Sequence, residues 1–597
     1  MTNHHCVRDC AVEVSPPDTD YTIAGFIARK PSEEKKCEGM YVDQLESIEN
    51  VTSRVNSGVT ATDPAQQATQ RAGIIQQIQT ECNQRTSLTC QVVTLYAGGI
   101  YSLYTYKRYD DLRLVFSPED QIGAFGGDPD NFTYPRYNLD AGLLRVYVNG
   151  KPHTPKNYLR FSKAGAKEDE LVFVVGNPGS TGRLNTLAQM EYLRDVSYPA
   201  NLAIYQRTID VVNDIKRKSP ALAKPYEGMV LDLENARKAV TGYRSGLVDS
   251  AYMAIKEDFE REFRARLAAN PQFQSEYGGV YDAIANAQRE LATFAPQARY
   301  HGFGPVLPIG GSRLLNLAGQ IVRVTEQSKA AVLGEQPIDS LFERLALTAY
   351  LRSAQAELPV DDPFLQAALG GRTPEQAAAA LVSGTRIGDP ATRKSLVEGG
   401  QAAIAASNDP MIVLARQIDP LNRAVQARAG ALNATIAGNA ALLGRALFAT
   451  YGTQLPPDAT FTLRISDGLV KGYPMNGTIA PYKTSYMGLY ARSVEFDAKF
   501  PFDLPPRWVK GKDKLDLTTP FNFVTTNDII GGSSGSPMIN RAGEVVGLVF
   551  DGNIENVANR FLFQTEKART VAVHSSAIIE ALRKMYAAPG IADELQR

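Results

Sequence analysis

Over the first 180 residues, apolar and polar positions alternate in short runs broken by turn residues. Residues 91–96 and 100–106, rich in Val, Thr and Tyr, read as two strands joined by Ala97-Gly98-Gly99. Residues 112–116, 142–148 and 171–175 read as further strands, the last ended by Gly176-Asn177-Pro178-Gly179. Residues 44–84 break this pattern with a helical excursion. From Thr186 to Ala449 the apolar positions recur at helical spacing, as in 284–295 and 411–448. Thr373-Pro374-Glu375-Gln376 supplies an N-cap, a proline at the first helical position and a capping-box glutamine. Strand signals return after Pro456 at 460–465, 522–525 and 544–550, and a helix is expected over 576–586. The order β, α, β is met most simply by one β unit interrupted by an inserted helical domain, with spans 1–185, 186–452 and 453–597. Two separate β domains are the alternative.

The 597 residues suffice for two to four structural units. Lys+Arg 63 against Asp+Glu 64 leaves a formal charge of -1, which removes the broad basic footprint of a nucleic-acid or polybasic membrane binder. No uninterrupted apolar run is long enough to span a bilayer. The cysteines, Cys6, Cys10, Cys37, Cys82 and Cys90, have neither Cys-x-x-Cys spacing nor a histidine at zinc spacing, so no metal site and no cofactor is expected. Cys82 and Cys90 flank a polar stretch before a strand-like run. A hairpin-type disulfide and a set of buried reduced thiols both fit, and the odd count leaves one thiol over.

Chemistry concentrates in Gly531-Gly532-Ser533-Ser534-Gly535-Ser536-Pro537, set between two apolar runs. A nucleophilic serine needs small neighbours and backbone N–H groups turned toward a developing oxyanion, and Gly532 and Ser534 would supply them. A flexible Gly/Ser turn is the competing reading. Five histidines could serve as base: His4, His5, His153, His301 and His574. His5, which precedes Cys6, matches the histidine-cysteine setting of chymotrypsin-type proteases, against the simpler reading of an N-terminal histidine pair. Asp140, ahead of an apolar strand, completes the chain order His, Asp, Ser. Asp128 and Asp130 are rivals that read more naturally as turn residues.

Taken together these segments resemble the bacterial dipeptidyl-peptidase 7 and 11 family of serine exopeptidases. The resemblance is carried by Thr-Asn-His-His-Cys at 2–6, Phe-Gly-Gly-Asp at 125–128, Tyr-Pro-Arg at 134–136, Gly-Asn-Pro-Gly-Ser-Thr at 176–181, Asp-Ala-Thr-Phe-Thr-Leu-Arg at 458–464, Gly-Ser-Ser-Gly-Ser-Pro at 532–537 and Phe-Asp-Gly-Asn at 550–553. It implies a chymotrypsin-like double β-barrel interrupted by a large helical cap, with His5 as base, Asp140 as orienting acid and Ser534 as nucleophile. It implies that Asn131, Phe132, Asn235 and Asp551 bind the free α-amino group of a peptide, so that dipeptides are released. Gly552 matches the position that selects the residue before the scissile bond. A glycine there leaves an uncharged pocket, where acid-selective members carry Arg, so uncharged or hydrophobic residues are expected.

The resemblance further implies peptide substrates, a homodimer, a periplasmic or secreted location, and opening barrel strands and an export signal upstream of residue 1. Cys10 with Cys37 then becomes a candidate pair. Two positions depart from the family pattern: Ser533 stands where Asn is usual before the nucleophile, and Phe132 where Trp is usual. An endopeptidase on the same scaffold and a catalytically silent peptide-binding homologue are the alternatives.

Overall fold

Strand-forming runs from the two ends of the chain hydrogen-bond to one another. In the computed structural model, which describes residues 1–218, 220–304 and 311–597, Leu171–Gly176 pairs antiparallel with Arg464–Leu469 on one side and with Pro537–Ile539 on the other. The sheet continues through Val545–Gly552, Thr570–His574, Pro520–Thr525 and Lys483–Ser485, giving seven strands. Val545–Gly552 is buried along nearly its whole length, as its run of Val, Leu and Phe requires of a central strand. The sheet curls back on itself, because Thr526 N–H donates to Leu469 O at 3.0 Å and Val470 bridges to Thr525.

A second sheet is built around Asp111–Ser117, which pairs with Phe26–Ile27, Lys35–Lys36 and Leu143–Val148; Lys151–Pro152 follows the last of these. Trp508, Phe521, Phe116, Phe125, Tyr486 and Tyr586 fill the largest apolar core. These elements belong to one compact unit of residues 1–62, 69–185 and 441–597. The second unit, 63–68 and 186–440, is helical. Its core gathers Leu314, Leu347, Tyr350, Phe364, Leu381 and Ile412. The capping box at Thr373 and Gln376 is formed.

Several expected elements differ. The excursion over 44–84 is not uniformly helical, since Val42–Asn50 is a strand in register with Ile100–Tyr109 and only Thr52–Ser57 and Pro64–Thr86 are helices. Almost every side chain of Val42–Asn50 is exposed, so it has no apolar alternation to read, and backbone pairing alone decides it. The strand expected at 460–465 runs instead over Arg464–Leu469, where the ladder with Leu171–Gly176 lies. His4–Glu13 is a helix, and Tyr473–Met475 with Thr478–Ala480 forms a hairpin that the Asn476-Gly477 pair could have announced. The helix near the C-terminus begins at Ser575 and widens to π geometry over Ala581–Met585.

Cys10 is bonded to Cys37 and Cys82 to Cys90, while Cys6 is free and exposed. The second bond is not a hairpin staple. It ties the end of helix Pro64–Thr86 to strand Thr89–Leu95. The first joins helix His4–Glu13 to residues beside the second sheet and closes a 27-residue separation, against 8 for the other. Loop-closure entropy grows with loop length, so removing Cys10–Cys37 with paired serines should cost about 3–4 kcal/mol and removing Cys82–Cys90 about 2–3 kcal/mol. Urea denaturation under non-reducing conditions measures both. The reverse order would show that chain entropy is not the governing factor.

Candidate active site

The first turn of helix His4–Glu13 is fixed by short backbone bonds to the segment carrying Asp140. Thr2 N–H donates to Gly142 O at 2.9 Å, and Gly142 N–H donates back to Thr2 O at 2.7 Å. The Asn3 side-chain amide donates to the Asp140 carbonyl at 2.8 Å. The two adjacent histidines consequently face different surroundings. His4 is buried between Ser117 and Asp120, each 2.8 Å from a ring nitrogen. His5 keeps 47% of its side chain exposed, with Nδ1 2.7 Å from Oδ2 of Asp140, which is buried. The His5 backbone N–H donates to Asp140 Oδ1 at 3.1 Å.

The other histidines are placed differently. His301 is buried against Asp362, His574 is buried beneath Ala166 N–H, and His153 lies tilted against the Tyr109 ring. Only His5 combines an exposed ring with a buried carboxylate partner.

The pair sets its own protonation. Desolvation opposes the imidazolium, but the Asp140 carboxylate outweighs it and holds His5 above its ordinary 6.5. Burial would raise Asp140, yet His5, and behind it His4, hold the carboxyl below its ordinary 3.8. His5's contribution to stability is full below pH 6.5 and fades as pH rises through its raised value. Asp140's is full above pH 3.8 and fades as pH falls through its lowered one. The pair is at full strength between these limits.

Ser534 sits in a loop that folds in two opposite senses. Ser533 turns inward, with its N–H donating to Ile530 O at 3.0 Å and its hydroxyl accepting from Ile530 N–H, while Ser534 remains partly exposed. Gly532 has φ +102°, and a Cβ there would stand 2.7 Å from the Gly179 nitrogen, so the turn needs glycine. The N–H groups of Gly532 and Ser534 donate to no acceptor among the described residues. Two unspent N–H groups flanking a serine are what an oxyanion hole requires. The loop meets the His5 segment at Gly535, where a Cβ would lie 2.5 Å from Thr2 Oγ1. No hydrogen bond joins Ser534 to His5, a contact that commonly tightens only when substrate is bound.

The expected amine-binding residues divide. Asp551 is buried and engaged on both oxygens: Oδ1 accepts from Gly552 N–H at 2.8 Å, and Oδ2 from Phe132 N–H at 3.1 Å and from the buried Arg136 guanidinium. It is a compensated charge rather than a bare one, and it holds Phe132 in a left-handed conformation at φ +58°. Asn131 directly precedes Phe132 at the end of the short helix Gly127–Asp130. Asn235 is an exposed residue of helix Glu227–Val248 in the helical unit. Gly552 ends the central strand, and a Cβ on it would stand 2.7 Å from Asn556 Nδ2. Asp130 pairs with Arg492, and neither it nor Asp128 bonds to His5. Sequence reading gave no role to Arg136, because its partner is 415 positions away.

The Peptidase S46 model matches residues 1–597. The chain belongs to that family and is a peptidase. It is 26% identical over 672 residues to an Asp/Glu-specific dipeptidyl-peptidase of Shewanella putrefaciens, covering 100% of this chain and 89% of the relative. It is 27% identical to dipeptidyl-peptidase 7 of Porphyromonas gingivalis, with 100% and 88% covered. The crystal structure of Porphyromonas endodontalis DPP11 in complex with the dipeptide Arg-Glu matches with a TM-score of 0.83 at 20% identity, covering 100% of this chain and 91% of that one. That likeness establishes a shared mixed α/β fold. No helix among the described residues is long and apolar enough to cross a membrane.

Replacing Asp140 with Asn removes the charge that sustains the His5 imidazolium while keeping the shape of the side chain. The His5 pKa, followed by NMR titration, is expected to fall by more than one unit; an unchanged value would remove Asp140 as its partner.

Proposed function

We propose that the protein is a serine dipeptidyl aminopeptidase working through an acyl-enzyme. The reading is carried above all by the half-exposed His5 paired with the buried Asp140, on a segment that meets at Thr2 and Gly535 a serine loop with two unspent N–H groups. Ser534 Oγ attacks the carbonyl carbon of the second residue of a peptide and passes its proton to His5 Nε2. The oxyanion accepts hydrogen bonds from Gly532 and Ser534 N–H. His5 then protonates the leaving amine, and water releases the dipeptide by the same steps in reverse. Asp140 holds the tautomer in which Nε2 can accept, and its loss should lower kcat by about 10⁴. His5 must be neutral to act, so activity should climb with pH through its raised value.

The family likeness supports reading the curled seven-stranded sheet and the sheet around Asp111–Ser117 as a chymotrypsin-like double barrel, and residues 186–452 as the inserted helical domain. Asn131, Phe132 and Asp551 bind the α-ammonium, with Asp551 sharing its charge between that group and Arg136. Asn235 is assigned to the same role on its sequence match. Gly552 leaves room for an uncharged side chain before the scissile bond. A second reading, acid selectivity, is favoured by the name of the Shewanella relative. The two disulfides support an oxidising compartment, periplasmic or extracellular. Homodimer formation belongs to the same reading, supported by the solvent-facing Ile465 and Leu469 on the edge strand Arg464–Leu469 and by Leu463 just before it. Light scattering tests it, a monomer counting against.

Peptides with free N-termini should yield dipeptides and their acetylated forms should not. Equal rates on both would convert the reading to an endopeptidase. A phosphonate inhibitor should label Ser534 and fail on Ser534→Ala; absence of labelling in the unaltered protein would mean a silent binding homologue. Gly552→Arg should raise kcat/KM for Asp or Glu before the scissile bond relative to Leu by tenfold or more, and no rise would remove residue 552 from the pocket.

A further inference from the structure

Asp528 stands six residues before Ser534, the same interval that separates trypsin's charge-selecting carboxylate at the base of the S1 pocket from its nucleophile. A carboxylate left open there would favour Lys or Arg before the scissile bond. Here it is filled from within the chain. Arg183 Nη1 donates to Asp528 Oδ2 at 2.5 Å and Nη2 to Oδ1 at 2.8 Å, a two-pronged pair with the fixed geometry that suits guanidinium to carboxylate.

Arg183 is held on its other side as well. Its Nε and Nη2 donate to the Asn559 carbonyl at 3.1 and 2.8 Å, and its backbone N–H donates to Asp458 at 2.8 Å. Asn559 Nδ2 approaches Asn556 Oδ1 at 3.4 Å, and Asn556 is the side chain that a Cβ at Gly552 would strike. Contacts therefore run without a break from the selecting position 552 through Asn556 and Asn559 to the Arg183–Asp528 pair. The pair is not sealed in a core, since 22% of the Arg183 side chain and 29% of that of Asp528 remain exposed.

We propose that Arg183 and Asp528 are specificity-determining residues: Arg183 is an internal cation occupying the place a basic substrate side chain would take, and the two charges cancel to leave the pocket neutral. This deepens the proposed function and rests on Ser534 being the nucleophile. The physical basis is that either charge, stripped of its partner in a partly desolvated site, has to find compensation, and a substrate side chain of opposite sign provides it. Removing Arg183 therefore opens the pocket to Lys and Arg, and neutralising Asp528 opens it to Asp and Glu.

The test compares kcat/KM on dipeptidyl coumarylamides carrying Leu, Lys or Glu as the second residue. Arg183→Ala should raise the Lys-to-Leu ratio at least tenfold, Asp528→Asn should raise the Glu-to-Leu ratio at least tenfold, and the double variant should return both ratios toward those of the unaltered protein. Ratios within twofold of the starting values in both single variants would overturn the proposal. If Arg183→Ala does not fold, Asp528→Asn decides alone, because it retains shape and hydrogen bonding: a raised Glu-to-Leu ratio supports the proposal and an unchanged one overturns it. Phosphonate labelling of Ser534 in the unaltered protein is measured first. Its failure overturns the underlying reading, whereas labelling with unchanged ratios overturns this inference only.

Discussion

A carboxylate buried as deeply as Asp140 has to be neutralised where it lies, and much of the site's geometry serves that requirement. An unpaired buried charge of this kind costs several kcal/mol. His5 meets it with both its ring and its backbone N–H. That double attachment fixes the first turn of helix His4–Glu13, and the paired backbone bonds between Thr2 and Gly142 hold the same turn from the other side. The ring nitrogen left over is the one directed away from the carboxylate. A requirement of electrostatics thus fixes the orientation of the ring.

The same economy governs the other charges around the loop. Asp551 is cancelled by Arg136, and Asp528 by Arg183. In each pair an arginine from the first 185 residues meets a carboxylate from the last 70, so these charges lace together the two ends of one unit. Partial exposure of Arg183 and Asp528 leaves that pair available to solvent, whereas Arg136 and Asp551 are buried and hold the Phe132 backbone in a conformation it would not adopt alone.

Much of this was legible in order but not in pairing. The β, α, β sequence of elements follows from hydrophobic period, and the glycine-framed serine, the histidine beside a cysteine and the aspartate before an apolar strand follow from local composition. Asp551 read as an open counter-charge because a one-dimensional pattern cannot show that Arg136, 415 positions earlier, already holds it. The strand Val42–Asn50 was missed for a related reason: its side chains carry no burial signal, and its identity lies in the ladder with Ile100–Tyr109.

By itself the sequence determined the family, the kinds of side chain available for chemistry and their order along the chain, because residue type and short-range spacing carry that information. Tertiary structure decided which of two adjacent histidines is exposed, which carboxylates are already neutralised, which N–H groups remain unspent and which cysteines are joined. Those properties depend on groups brought together across tens to hundreds of positions, where burial and Coulomb attraction act through space and leave no trace in local pattern.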